Sequence, residues 1–150
     1  MPLPESYTED QLAAFMVTEL TTTATALGWT DESPEIFEAV QEVAAIIGTP
    51  IADVTDVAKL RTIARWYAWQ TAQSAAASSY DLSSGRSGLK RSQWFEMISR
   101  RLLTAENAAL QYSEVQARVN GAYSTAYVST IYTAGSPYSY QPVLFEDLDP

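Results

Sequence analysis

Glu35, Glu38 and Glu42 recur at steps of three and four, which sets three carboxylates along one side of a helix. Carboxylates so placed suit a hard cation, or acid–base work when their environments push two pKa values apart. Neither a DxDxDG calcium loop nor a second acid–base motif accompanies them, so they read as an exposed acidic face. The stretch SSGRSGLK sets a lysine after glycines, as phosphate cradles do. It lacks GxxxxGK[ST] spacing, however, and follows a predicted helix instead of a strand. Trp66, Trp69 and Trp94 stand at helical spacing and suit core or subunit-interface anchors better than a ligand cage.

The chain has no Cys and no His. That excludes thiolate nucleophiles, disulfides, zinc fingers and Ser-His-Asp triads, and it leaves proton transfer near neutrality to retuned carboxylates, Lys or Tyr. The expectation is therefore a non-enzyme with no catalytic residues, no metal and no cofactor. An enzyme working through carboxylates stays open as an alternative of another class; it would need a cleft holding two perturbed acids.

Charge is the strongest signal left. The 150 residues carry 18 acids and 9 bases, a net of -9. Residues 1–58 hold eleven acids and no base; all nine bases fall between Lys59 and Arg118, where the sum is +5; the remainder adds -3. Either the acidic helices screen the basic ones within one subunit, or copies pack head to tail through opposite signs. Contacts of the second kind close into rings or run on as filaments. Since the total is negative and bases alternate with acids, gripping nucleic acid is not the primary role. A hydrophobic fraction of 47% supports a core, and charged residues make up only 18%. No run is apolar enough to span a bilayer, and the first residues, MPLPESYTED, do not look like a signal peptide, so a soluble intracellular protein is expected.

The elements that must position these groups are helical. Ser6 and Glu9 have capping-box spacing before a helix with Leu12, Phe15, Met16, Leu20, Ala24 and Leu27 on one face; its Thr-rich end should fray or bend before Gly28. A second helix opens at Ser33-Pro34, buries Ile36, Val40, Ala44 and Ile47 with Phe37 and Val43 widening the stripe, and stops at Gly48. After the linker TPIADV, a third runs from about Asp56 to Ser79 with Val57, Leu60, Ala64, Tyr67, Thr71 and Ala75 inward. The segment YDLSSGRSGLK, centred on 81–90, is a long loop by composition, mobile until docked. A fourth helix buries Phe95, Ile98, Leu102, Ala105, Ala109 and Tyr112, sets Arg100 and Arg101 outward, and runs on toward Asn120-Gly121. From Ala122 a Tyr- and Pro-rich segment follows, high in β-propensity, which suits an arm laid over a partner or a strand paired within its own domain. The chain thus divides into a helical domain, 1–121, and an extended arm, 122–150. The fold expected is all-α, a four-helix antiparallel-type subunit with a long loop between helices three and four and an arm with possible β character.

Residues 33 to 112 resemble the head–tail connector or adaptor proteins of tailed bacteriophages. The resemblance rests on a helix ending in Gly and on a K-L-R-x-x-A-R-x-x-A-W helix, here Lys59, Leu60, Arg61, Ala64, Arg65, Ala68 and Trp69. It continues in a Y-D-[FL]-S loop, here Tyr80, Asp81, Leu82 and Ser83, and a K-R-S-Q helix start, here Lys90, Arg91, Ser92 and Gln93. About half the chain is covered, and the Thr-rich first helix and Tyr-rich tail depart from the pattern. The resemblance implies a virion protein of the phage neck, assembled in the host cytoplasm as a homo-oligomeric ring, typically of twelve copies, between portal and tail or stopper proteins. Such a ring extends the DNA ejection channel and passes double-stranded DNA without sequence-specific binding and without a membrane. The residues expected at subunit and portal interfaces are Arg61, Arg65, Trp66, Trp69, Arg86, Lys90, Arg91, Arg100, Arg101, Tyr123, Tyr127, Tyr138 and Tyr140. Glu35, Glu38 and Glu42 are expected to face the lumen, where repulsive walls let a duplex slide. The alternative is a small helical protein-binding or regulatory module acting as monomer or dimer.

Overall fold

The computed structural model describes the backbone of residues 4–81 and 88–121, and among these it is helical with no strand. The all-α expectation therefore holds. The elements are α1 (Glu9–Leu20), α2 (Thr22–Leu27), α3 (Pro34–Ile47), a 3-10 turn (Ile51–Asp53), α4 (Val57–Asp81) and α5 (Gly88–Ala109). Residues 113–121 are helical again. The chain divides into two units, Met1–Val115 and Gln116–Pro150. In the second, 116–121 are helical, and the expected arm, 122–150, lies outside the described residues.

The start of α1 differs from the expected cap. Thr8, not Ser6, accepts from the Gln11 N–H at 3.2 Å, and Gln11 Oε1 accepts from the Thr8 N–H at 3.0 Å. A start at Thr8 leaves Tyr7 ahead of the helix, free to fold back on Phe15 in an edge-to-face pair with ring centres 6.2 Å apart and become buried. A Ser6 start would wind Tyr7 into the first turn.

The expected single first helix is two. Thr21 breaks it at φ 52° and ψ -125°, a positive φ that a β-branched side chain rarely adopts. Leu20, Thr23 and Ala24 are buried on either side, so packing holds the joint in place. α2 then closes on Gly28 at φ 72°, whose N–H reaches Thr25 O while the Trp29 N–H reaches Ala24 O at 2.8 Å. This paired arrangement satisfies two end carbonyls and buries Trp29 over the helix end. Gly48, at φ 77°, ends α3 in the same left-handed region.

α3 buries Ile36, Ala39, Val40 and Val43. At about 100° per residue, Phe37 lies outside that stripe, and it is 55% exposed, contrary to the expectation that it widened the buried face. The linker carries more of the core than its composition suggests: Ile51 and Val54 are buried. Asp56 caps α4 by accepting from the Lys59 N–H at 3.0 Å.

α4 is the helix against which the others pack: α5 most extensively, then α3, α1 and α2. Leu60, Ile63, Ala64, Trp66, Ala68, Trp69, Ala72 and Ala76 are all buried, a wider surface than one stripe, while the expected Tyr67, Thr71 and Ala75 are half-buried. Two contacts set the direction of α5: Gln73 donates to Ser99 Oγ at 3.1 Å, and Lys59 pairs with Glu114 just beyond the helix end. Moving down α4 means moving up the partner, so α4 and α5 form an antiparallel pair. α1 runs the other way: Phe15 meets Arg61 and Glu19 meets Arg65, one turn further along both helices, so α1 is parallel to α4. α5 has no comparably extensive contact with α1 or α3 among the described residues.

The expected loop is helical at its borders, since α4 reaches Asp81 and α5 begins at Gly88; 82–87 lies outside the described residues, as does any test of its mobility. The expected continuation of the last helix is interrupted at 110–112, where the Tyr112 N–H bonds Ala109 O and tightens the chain into a turn. No described helix is long and apolar enough to cross a membrane.

Relieving the Thr21 joint should stabilise the domain. Thr21→Gly is expected to raise the unfolding free energy by about 1 kcal/mol in urea titrations, because glycine takes a positive φ without the Cβ clash. A loss of stability would show that the joint carries no strain.

Candidate functional site

The basic residues of α4 face inward partners. Arg65 makes a two-pronged contact with Glu19, Nε to Oε2 at 2.9 Å and Nη2 to Oε1 at 3.0 Å, joining α4 to α1. That hydrogen bond raises the Arg65 pKa, with burial opposing it. One turn earlier, the Arg61 guanidinium lies 4.8 Å from the Phe15 ring centre, and its Nε is buried without a hydrogen-bond partner. The ring face, itself braced by Tyr7, supplies the compensating attraction. Lys59 hydrogen-bonds Glu114 and sits 5.8 Å from the Tyr112 ring. Its ammonium is the main reason that Glu114 ionises below the usual carboxylate range, with a backbone N–H adding to the effect.

Seam pairs therefore occupy Arg61, Arg65 and Lys59 within the subunit. The sequence could place Arg61 and Arg65 on α4 but not name Glu19, Glu114 or Phe15 as partners, because those contacts depend on how distant helices align. Trp66 and Trp69, expected at a subunit or portal interface, are 2% and 4% exposed. They are anchors of the subunit's own core, since the flank of α4 they occupy is covered by its neighbours. Trp94 is half-buried on α5.

Of the remaining bases, Lys90, Arg91, Arg100 and Arg101 belong to α5 and Arg118 to the helical residues 113–121. Arg100 pairs with Glu96 one turn back at 2.6 Å, with both side chains mostly exposed. Arg101 is exposed and has no ionic partner among the described residues. Lys90 and Arg91 fall in the first turn of α5, and Arg86 lies outside the described residues, as do Tyr123, Tyr127, Tyr138 and Tyr140.

On the acidic side, Glu35 and Glu38 are exposed on α3, and Glu42 is half-buried. Neither Glu35 nor Glu38 has a hydrogen-bonded or ionic partner among the described residues. Phe37, next to Glu38 in the chain, is exposed as well. Its exposure was missed because an apolar residue next to a buried stripe reads as part of it; only the rotation of α3 against α1 and α4 separates the two. Among the described residues no three metal-ligating side chains converge. The arrangement consists of two seams that lock α4 internally and two outward sets of charges, carboxylates on α3 and, among the described residues of α5, Arg100 and Arg101 with Glu96 and Glu106. No protein-family model, curated protein or solved structure matches the chain.

The Lys59–Glu114 contact has a pH signature. Because the folded-state pKa of Glu114 is lowered, its contribution is present above the unfolded carboxylate pKa and lost as pH falls through the folded value. Lys59→Met should therefore cost about 0.5 kcal/mol at neutral pH, discounted for partial exposure. That difference should vanish in acid in paired denaturation curves; a cost unchanged by acid would assign the role of Lys59 to packing.

Proposed function

We propose that the chain is a structural virion subunit, a head–tail connector or adaptor of a tailed bacteriophage, which assembles as a ring between portal and tail and extends the DNA channel. On this reading it makes and breaks no bonds in a substrate and needs no cofactor. It acts at the virion neck after assembly in the host cytoplasm, and it needs no membrane. Its long helices α1, α3, α4 and α5 form the subunit, α5 antiparallel and α1 parallel to α4, and on this reading the α4–α5 connection and residues 122–150 supply contacts to portal, stopper or tail proteins.

The observation that carries this reading is the division of labour along the K-L-R-x-x-A-R-x-x-A-W helix. Leu60, Ala64, Ala68 and Trp69 are buried, while Lys59, Arg61 and Arg65 tie α4 to Tyr112 at the turn, to Glu114 in the helix after it, and to α1. Each fixed position of the motif thus has a packing or pairing task, as befits a signature of architecture. The exposed carboxylates of α3 agree with it, since a wall that repels phosphates lets a duplex slide, whereas each neutralised phosphate adds affinity through counterion release.

A second reading, a small helical binding module working as monomer or dimer, draws on the α4 seams. The pairs Arg65–Glu19 and Lys59–Glu114 spend inside one subunit some of the opposite charge that would otherwise join copies.

Locating the protein in particles separates the two. Antibody-gold labelling of purified virions should mark the head–tail junction, with the chain present in virion peptide maps at ring stoichiometry. Its absence from particles of a phage that expresses it would overturn the connector reading in favour of the module.

A further inference from the structure

We infer that Thr21 is a two-state joint: the chain exchanges the bent α1–α2 pair for one continuous helix over residues 9–27, and the bend is the state that keeps Trp29 buried. This holds whether or not the subunits form a ring. Three features of the joint point to it. Thr21 has φ 52° and ψ -125°, a conformation that suits glycine and strains a β-branched residue. α2 begins there with no side-chain hydrogen bond to cap it, whereas Thr8 caps α1 and Asp56 caps α4. Thr23, 1% exposed, has a hydroxyl with no hydrogen-bond partner among the described residues.

The Thr23 hydroxyl shows what the other state restores. Thr18, Thr62, Thr71 and Thr104 each donate to the carbonyl four residues back, at distances between 2.8 and 3.0 Å. For Thr23 that carbonyl belongs to Glu19, on the far side of the break. A continuous helix brings it within reach and relaxes Thr21 to a negative φ. Such a helix also suits the core. At about 100° per residue, the buried Leu12, Ala13, Met16, Leu20, Thr23 and Ala24 fall within an arc of about 120°, with Leu27 inside it and the exposed Thr21, Thr22 and Thr25 outside. What the straight form gives up is Trp29. Its N–H bonds Ala24 O, so the indole rides on the end of α2 and leaves its place, where it is 8% exposed, when α2 realigns with α1. Strain and an orphan hydroxyl favour one state and burial of an indole favours the other, the balance that a bistable element requires.

The chain has no cysteine, so spin labels at Ala14→Cys and Ala26→Cys, exposed sites on α1 and α2, read the joint in the full chain through pulsed EPR distances. A continuous helix separates the two sites by a rise of about 18 Å, and the bent pair holds them at another distance. The ratio of straight to bent should be at least ~5-fold higher with Thr21→Ala than with Thr21→Gly, because glycine accepts the positive φ and disfavours the helix interior. Position 21 is exposed, so neither substitution disturbs the core. Adding Thr23→Val to the Thr21→Ala chain keeps the side-chain shape without the hydroxyl and should lower the straight share again. A single distance common to the alanine and glycine chains would overturn the proposal, as would a straight share that Thr23→Val leaves unchanged.

Discussion

The fold depends on the burial of α4. A helix of 25 residues that places Leu60, Ile63, Trp66, Trp69 and a run of alanines out of water has no single apolar stripe, so one packing partner cannot cover it. Neighbours must approach from several directions, as α5, α3, α1 and α2 do. The alanines at 64, 68, 72 and 76, like Ala105 and Ala109 on α5, keep side chains short where helices approach. Burial of α4 also decides the fate of its charges. Lys59, Arg61 and Arg65 sit at the edges of a covered surface, and each needs an anion or a ring face close by, because a partly desolvated cation without compensation is costly.

How much of this was legible in the sequence follows from how local each cause is. Ser33-Pro34, Gly28 and Gly48 mark helix ends through backbone geometry that involves only a few neighbours, and the structure places ends there. The weakness of the Thr run was legible too, though not that it resolves as one positive-φ joint at Thr21 instead of fraying. Two capping boxes overlapped in SYTEDQ, and the choice of Thr8 over Ser6 depended on Phe15, nearly two turns further on, giving Tyr7 somewhere to pack. Ile63, Ile51 and Val54 escaped a reading based on one stripe per helix, since their burial comes from partners that periodicity does not name.

The interaction surfaces were less legible for the same reason. Adding charge along the chain treats every Arg as available, but whether it is available depends on what stands opposite. Arg65 has a two-pronged carboxylate beside it, and the sequence separates that pair by 46 positions. The parallel alignment of α1 on α4 brings the two together and sets Phe15 under Arg61 with the same offset. A signature rich in Lys and Arg on a long helix therefore describes the inside of a subunit as readily as its outside. Trp66 and Trp69 make the same point for aromatics: a side chain capable of anchoring an interface is equally capable of anchoring a core, and α4 uses both inward.

What remains for contact with any other molecule is what folding does not consume. The energetic distinction is between a charge that must be desolvated again to change partner and one that is still in water. Exchanging the partner of Arg65 would break two aligned hydrogen bonds at a half-covered seam, whereas Arg100, 78% exposed, exchanges Glu96 for another carboxylate at little cost. Glu35 and Glu38 have no partner among the described residues. The charges left in water are therefore those away from the α4 seams, on α3 and α5, while the bases of α4 are already spent on partners inside the fold.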